Sequence, residues 1–216
     1  MANDLIRQQG SSYPAPSSVE QTGKTNVNVT NQDGGVVNFN YNFHPGTPAD
    51  SAEKLIAIQQ FSKQYYQLLV TTEDDVFETN VVSVMANRAL TSGCVPPEIY
   101  ERCSPLTEEG IAELKTFPAI VCRENTAYNG ETDPNQWAMY CCIKRVKKEG
   151  KIIKVGFKPI APLPQNKMCT KKNAIYFDLN MSCALTDLNW SGWTVHKVNL
   201  FEAFDEAEIP NMPRPM

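Results

Sequence analysis

The chain has 216 residues, of which 42% are hydrophobic and 20% charged, with a formal net charge of −4. That is enough length for one ordinary domain with its own core, which excludes a mini-protein held together by staples. No apolar run approaches the roughly 20 residues of a membrane-spanning helix, so no membrane association is expected.

The opening residues MANDLIRQQGSSYP carry Asp4 and lack the apolar stretch of a secretory leader, so the expected location is cytoplasmic. Residues 1–24 are rich in Ser, Pro, Gln and Gly and read as a disordered tail, because they offer little apolar surface to offset the entropy of ordering. From Asn26 the pattern changes to a period of two. Val27 and Val29, then Val37, Phe39, Tyr41 and Phe43, alternate with asparagines, and the loop Thr30–Gly35 between them favours a turn. Residues 25–45 therefore read as a β-hairpin arm. An isolated hairpin is barely stable in water, so its apolar face must rest on its own domain or on another chain.

Residues 46–209 read as a single α+β domain, helical over 50–116 and β-rich over 117–207. Asp50 with Glu53 forms a candidate capping box. Leu55, Ile58, Phe61, Tyr65 and Leu69 then recur at helical spacing, predicting one long amphipathic helix. A short strand is expected over Val81–Met85, a short helix through Ile99 and Tyr100, and a helix Glu108–Lys115 capped by Thr107. Beyond Pro118 the chain reads as strands at Ala119–Cys122, Gln136–Val146 and Lys151–Ile160. The last strand begins at Trp193 and runs into a short helix, Leu200–Ala207. Pro159, Pro162 and Pro164 mark an edge or an exit. Residues 210–216, with three prolines, read as a flexible tail. The expected fold is a helical N-terminal half packed on a small twisted antiparallel sheet or partly open β-barrel, with the hairpin arm in front.

Sequence signatures of common enzymes are missing: there is no nucleophile elbow, no Walker loop, no dinucleotide fingerprint and no zincin motif. The seven cysteines form no C-x-x-C pair, and the only histidines, His44 and His196, are far apart, so neither a metal nor a cofactor is expected. In a reducing compartment the cysteines read as small buried hydrophobes. A cysteine hydrolase would need His196 as the base for one of them. The acidic run Glu73–Asp75 lacks the spaced ligands of a calcium loop and reads as solvated. The glycosylation-type triplets at Asn28, Asn180 and Asn189 carry no meaning without export.

The strongest electrostatic feature runs from Lys144 to Lys172. Ten bases stand there against the single acid Glu149, giving +9 locally against −13 for the remainder. Lys144, Arg145, Lys147, Lys148, Lys151, Lys154 and Lys158 are the candidate nucleic-acid contacts, with Trp137, Tyr140 and Tyr176 available for stacking. The same patch suits docking on an acidic protein, or discourages edge-to-edge aggregation. Trp190, Trp193 and Tyr176 form an aromatic cluster that builds either a ligand slot or core. Val37, Phe39, Tyr41 and Phe43 are the candidate protein-contact face, resembling an arm that adds to another sheet.

The opening hairpin resembles a family of uncharacterised bacterial proteins. So do the stretches Phe61–Tyr66, Leu114–Ile120, Pro159–Gln165 and Trp193–Leu200. The family is associated with mobile-element and phage-defence neighbourhoods. That resemblance implies a bacterial accessory protein with no named activity. The residues themselves favour a non-enzymatic protein that acts by association with a protein partner or a second copy. A nucleic-acid-binding domain is the alternative.

Overall fold

A computed structural model describes residues 48–181 and 184–216; the hairpin-arm segment, with Val37, Phe39, Tyr41 and Phe43, lies outside the described residues. The elements in chain order are α1 (Pro48–Gln59), β1 (Tyr66–Thr71), α2 (Val76–Thr79), β2 (Val81–Met85), α3 (Pro97–Cys103), α4 (Glu108–Leu114), β3 (Ala119–Arg123), β4 (Trp137–Glu149), β5 (Ile152–Pro164), β6 (Gly192–His196) and α5 (Leu200–Glu206). Single helical turns at 86–88, 165–167, 174–177 and 187–189 join them. Among the described residues no helix is long and apolar enough to cross a membrane.

The strands form one six-stranded sheet in the order β2-β5-β4-β3-β1-β6. Only β1 and β3 run parallel; the other pairs are antiparallel. Period-two alternation sends the side chains of β1 to two separate cores. Tyr66, Leu68 and Val70 join Ile120, Cys122, Tyr140 and Cys142 on one face, covered by Ile58 of α1 and by Leu200, Phe201 and Phe204 of α5. Leu69 joins Ala119, Val121, Cys141, Trp193 and Val195 on the other, covered by Ile99 and Cys103 of α3 and Leu114 of α4. Each large apolar side chain so enclosed contributes roughly 1.5–3 kcal/mol by leaving water.

This arrangement corrects the expected fold. The chain is mixed α+β, but its first half is not a helical half: β1 and β2 fall between residues 50 and 116, and β1 lies inside the sheet. The sheet is mixed rather than antiparallel, and helices cover both faces. The error has a physical origin in Tyr66–Thr71. Every residue of that strand is buried, and a strand buried on both faces is an unbroken apolar run, which satisfies helical spacing as readily as strand spacing. The expected long helix instead ends at Gln59. The Ser62 hydroxyl then accepts hydrogen bonds from the Gln64 and Tyr65 N–H groups, at 3.1 and 3.2 Å, and turns the backbone out of the helix. The helix also begins before Asp50, so that residue does not cap it.

Other elements follow the sequence closely. Thr107 caps α4, its hydroxyl accepting from the Gly110 N–H at 3.2 Å, and β4 and β5 form the expected hairpin. The prolines of β5 do not end the strand, which continues to Pro164. They are tolerated because β2 pairs with β5 only over Ile152–Gly156, so Pro159, Pro162 and Pro164 sit where β5 has become an edge. The last residues, expected to be loose, lie against the body. Met212 is buried, Tyr140 Oη donates to the Pro213 carbonyl at 3.0 Å, and Arg214 clamps Asp205 through two hydrogen bonds of 2.7 Å.

Candidate functional site

Seven cations of the sequence patch gather at the turn end of the β4–β5 hairpin. Register places Lys147 directly opposite Lys154 and Arg145 opposite Gly156. A side chain at residue 156 would collide with the stem of Arg145, whose Cγ lies 2.8 Å from where a Cβ would stand; the glycine therefore leaves room for that stem. Like charges facing each other across a ladder are unfavourable. Glu149 offsets that cost by pairing with both Lys147 and Lys154, at 2.7 and 2.8 Å. These two cations hold its carboxyl down at about 2. A register irregularity between Ile143 and Arg145 sets Lys144 out of the ladder, and Lys144 and Lys158 both pair with Glu53 of α1. Arg145, Lys148 and Lys151 have no carboxylate partner among the described residues.

The same stretch is a sheet edge. β3 pairs with β4 only over Met139–Cys141. From Cys142 to Glu149 the outer side of β4 therefore carries no strand among the described residues. Exposed Lys144, Arg145, Lys147, Lys148 and Glu149 flank it. The aromatic residues expected beside these lysines are elsewhere. Tyr140 is fully buried; Trp137 pairs with Pro164 at the far end of β4; Tyr176 belongs to the turn at 174–177.

A second constellation lies at β6, a terminal strand of the sheet. The segment after β2 reaches β6, where Ala89 bridges Trp193 and the Leu90 N–H donates to the Trp193 carbonyl at 2.7 Å. Between this segment and the turn at 187–189 opens a cleft of about 280 Å³. Leu68 and Val70 line it, and Asn87, Arg88, Cys94, Asp187, Trp190 and Thr194 bring polar and aromatic groups. Thr186 and Asn189 cap the 187–189 turn reciprocally. The Asn189 amide also donates to the carbonyls of Asn125 and Ala127, at 2.9 and 2.8 Å. This anchors the chain immediately before Trp190.

The expected aromatic cluster is divided, because Trp190 ends the turn at 187–189 and Trp193 lies within β6. Trp193 is buried, its Nε1–H donating to Gln67 Oε1 at 3.1 Å, whereas Trp190 is 53% exposed at the cleft. His196 is buried and stacks on Tyr66 with ring centroids 5.0 Å apart. Its Nε2 lies 2.9 Å from Thr194 Oγ1 and its Nδ1 lies 3.4 Å from Asp178 Oδ2. The imidazole holds the Asp178 carboxyl below its ordinary range. No described sulfur is hydrogen-bonded to His196. Cys103, Cys122, Cys141, Cys142 and Cys169 are buried, and burial pushes each of these thiols up, Cys103 to about 12. Cys94 is exposed. Among the described residues no group of three or more His, Cys, Asp or Glu is placed to hold a metal ion.

Comparison with protein-family models, with curated proteins and with solved structures finds no match.

Proposed function

We propose that the chain works by association with another protein, offering the outer edge of β4 from Cys142 to Glu149 to an acidic strand of its partner. The supporting observation is the coincidence of two unmet demands at one place. An unpaired strand edge presents backbone donors and acceptors to any strand that aligns with it. Among the described residues the cations around it outnumber the carboxylates, Glu53 and Glu149, that pair with them. An added strand with acidic residues at alternate positions meets both demands, since backbone pairing supplies affinity and charge supplies orientation. Val37, Phe39, Tyr41 and Phe43 are proposed as a second, apolar contact element of the same kind.

The nucleic-acid alternative draws less support. Among the described residues Trp137, Tyr140 and Tyr176 do not flank the lysines, and four of the seven cations are engaged by Glu53 and Glu149. A two-probe competition separates the readings. The full chain is titrated, by fluorescence anisotropy, with a labelled peptide of alternating Glu and Val and with labelled duplex DNA. Peptide binding that is lost in the Arg145→Glu, Lys147→Glu, Lys154→Glu triple variant supports the proposal. DNA binding with no peptide binding, weakening steeply between about 50 and 200 mM salt, replaces it. No binding of either probe overturns it and leaves the lysines as a guard against aggregation.

A further inference from the structure

The cleft beside β6 is independent of the cationic edge, with which it shares no residue. Its chemistry is specific enough to name a ligand class. Its floor is apolar, built from Leu68 and Val70 of β1, and its wall carries the half-exposed indole of Trp190. A ring that stacks on that indole leaves water on both faces. Arg88 is exposed at the cleft and has no carboxylate partner among the described residues. It therefore supplies an unspent cation to an anionic group, and its planar fork suits a carboxylate or a phosphate.

Among the remaining polar groups, Asp187 supplies a carboxylate acceptor, while Asn87, Thr91 and Thr194 each carry both a donor and an acceptor. Asp187 lines the cleft, and only its Oδ2 has a described donor, the Asn180 N–H at 2.7 Å. Thr194 Oγ1 lies 2.9 Å from His196 Nε2, and His196 Nδ1 lies 3.4 Å from Asp178 Oδ2, so the imidazole holds the hydroxyl in place at the cleft wall. A donor on the ligand would meet Asp187, and an anion would meet Arg88.

We infer that this cleft binds a small aromatic molecule carrying both an amine donor and an anionic group. An aromatic α-amino acid and an aminopurine nucleotide share that chemistry. The cleft volume of about 280 Å³ is at the lower end of ligand pockets, which run to roughly 1,000 Å³, so it holds one such molecule and no polymer.

Phenylalanine and adenosine monophosphate are the two probes, neither of which fluoresces in the tryptophan range. Binding of either quenches or shifts the fluorescence of the full chain, and Trp190→Phe removes that change while preserving a stacking surface. The same ligand shields Cys94, which lines the cleft, from maleimide, read by mass spectrometry at that residue. Arg88→Ala weakens binding roughly tenfold or more, as loss of a charge-assisted hydrogen bond requires. Thr194→Val, of equal shape, weakens it roughly fivefold through loss of one hydroxyl. Arg88 and Trp190 are exposed, so their variants fold. Binding of phenylalanine alone or of the nucleotide alone identifies the source. Failure of both to bind in the millimolar range, or binding that is indifferent to Arg88→Ala and leaves Cys94 fully reactive, overturns the inference. These outcomes leave the association reading untouched, because none involves β4.

Discussion

Gln67 is the polar tie on which the position of β6, and hence the cleft, depends. It is fully buried in the sheet. Its amide donates to the carbonyls of Leu114 and Phe117 at 2.8 and 3.1 Å, and its oxygen accepts from Trp193 Nε1 at 3.1 Å. One side chain thereby joins β1, the end of α4 and β6. Gln67→Leu keeps the volume and removes all three bonds. The Leu114 carbonyl retains the Phe117 N–H, but the Phe117 carbonyl and the indole N–H lose the partners that Gln67 supplies. At about 1–3 kcal/mol for each orphaned group, less the gain from burying a more apolar side chain, the net loss is about 2–4 kcal/mol. That is a large share of a typical stability of about 5–15 kcal/mol. Urea unfolding followed by tryptophan fluorescence measures it, the midpoint falling by about 1–2 M for a slope of about 2 kcal/mol/M. Trp193→Phe supplies the second corner of a double-mutant cycle, with a coupling of about 1 kcal/mol expected between the two sites. A loss below about 0.5 kcal/mol, or no coupling, refutes the claim that this bond network holds β6 in place.

Two further predictions test the frame around the sites. Gly110→Ala improves helix propensity by about 1 kcal/mol in principle. Its added Cβ, however, would stand 2.5 Å from the Arg102 carbonyl oxygen of α3, so the variant is destabilised by about 1–3 kcal/mol in thermal or chemical unfolding, and a gain refutes the close approach of α3 and α4. Glu98 is held at about 2, first by the Lys197 ammonium and also by the Tyr65 hydroxyl, and Glu149 at about 2 by Lys147 and Lys154. Both carboxyls are depressed in the folded state. Their stabilisation is therefore present above the ordinary carboxylate range and is lost as pH falls from about 4.5 through about 2. Carboxyl-selective NMR titration checks this, and midpoints near 4.5 for both would refute the ion pairs.

How much of this was legible in the sequence depended on whether a signal was local. Thr107 before two glutamates fixed the start of α4, and the lysine-rich turn fixed the β4–β5 hairpin, because caps and turns act over a few residues. β1 was missed because its burial on both faces erases the alternation that marks a strand. The cationic patch was visible as composition, but its partial neutralisation by Glu53 was not, since α1 and β5 are far apart in the chain. The cleft was visible only as Trp190 near Trp193. Arg88, Asp187 and Thr194 come from three separate segments that meet once β6 docks on β1, and Trp190 lies in the turn before β6 while Trp193 lies within it, which separates the exposed tryptophan from the core one. The hydrogen-bonded chain from Thr194 through His196 reaches Asp178, which no spacing rule connects to β6.

Amide hydrogen exchange across β4 tests association at the open edge most directly. For the free chain, outward-facing amides between Lys144 and Glu149 should exchange rapidly while Met139–Cys141, paired with β3, stay protected. Adding the acidic strand peptide should slow exchange over Lys144–Glu149 and nowhere else in the sheet. Protection already complete in the free chain, or none gained at saturating peptide, contradicts the proposal.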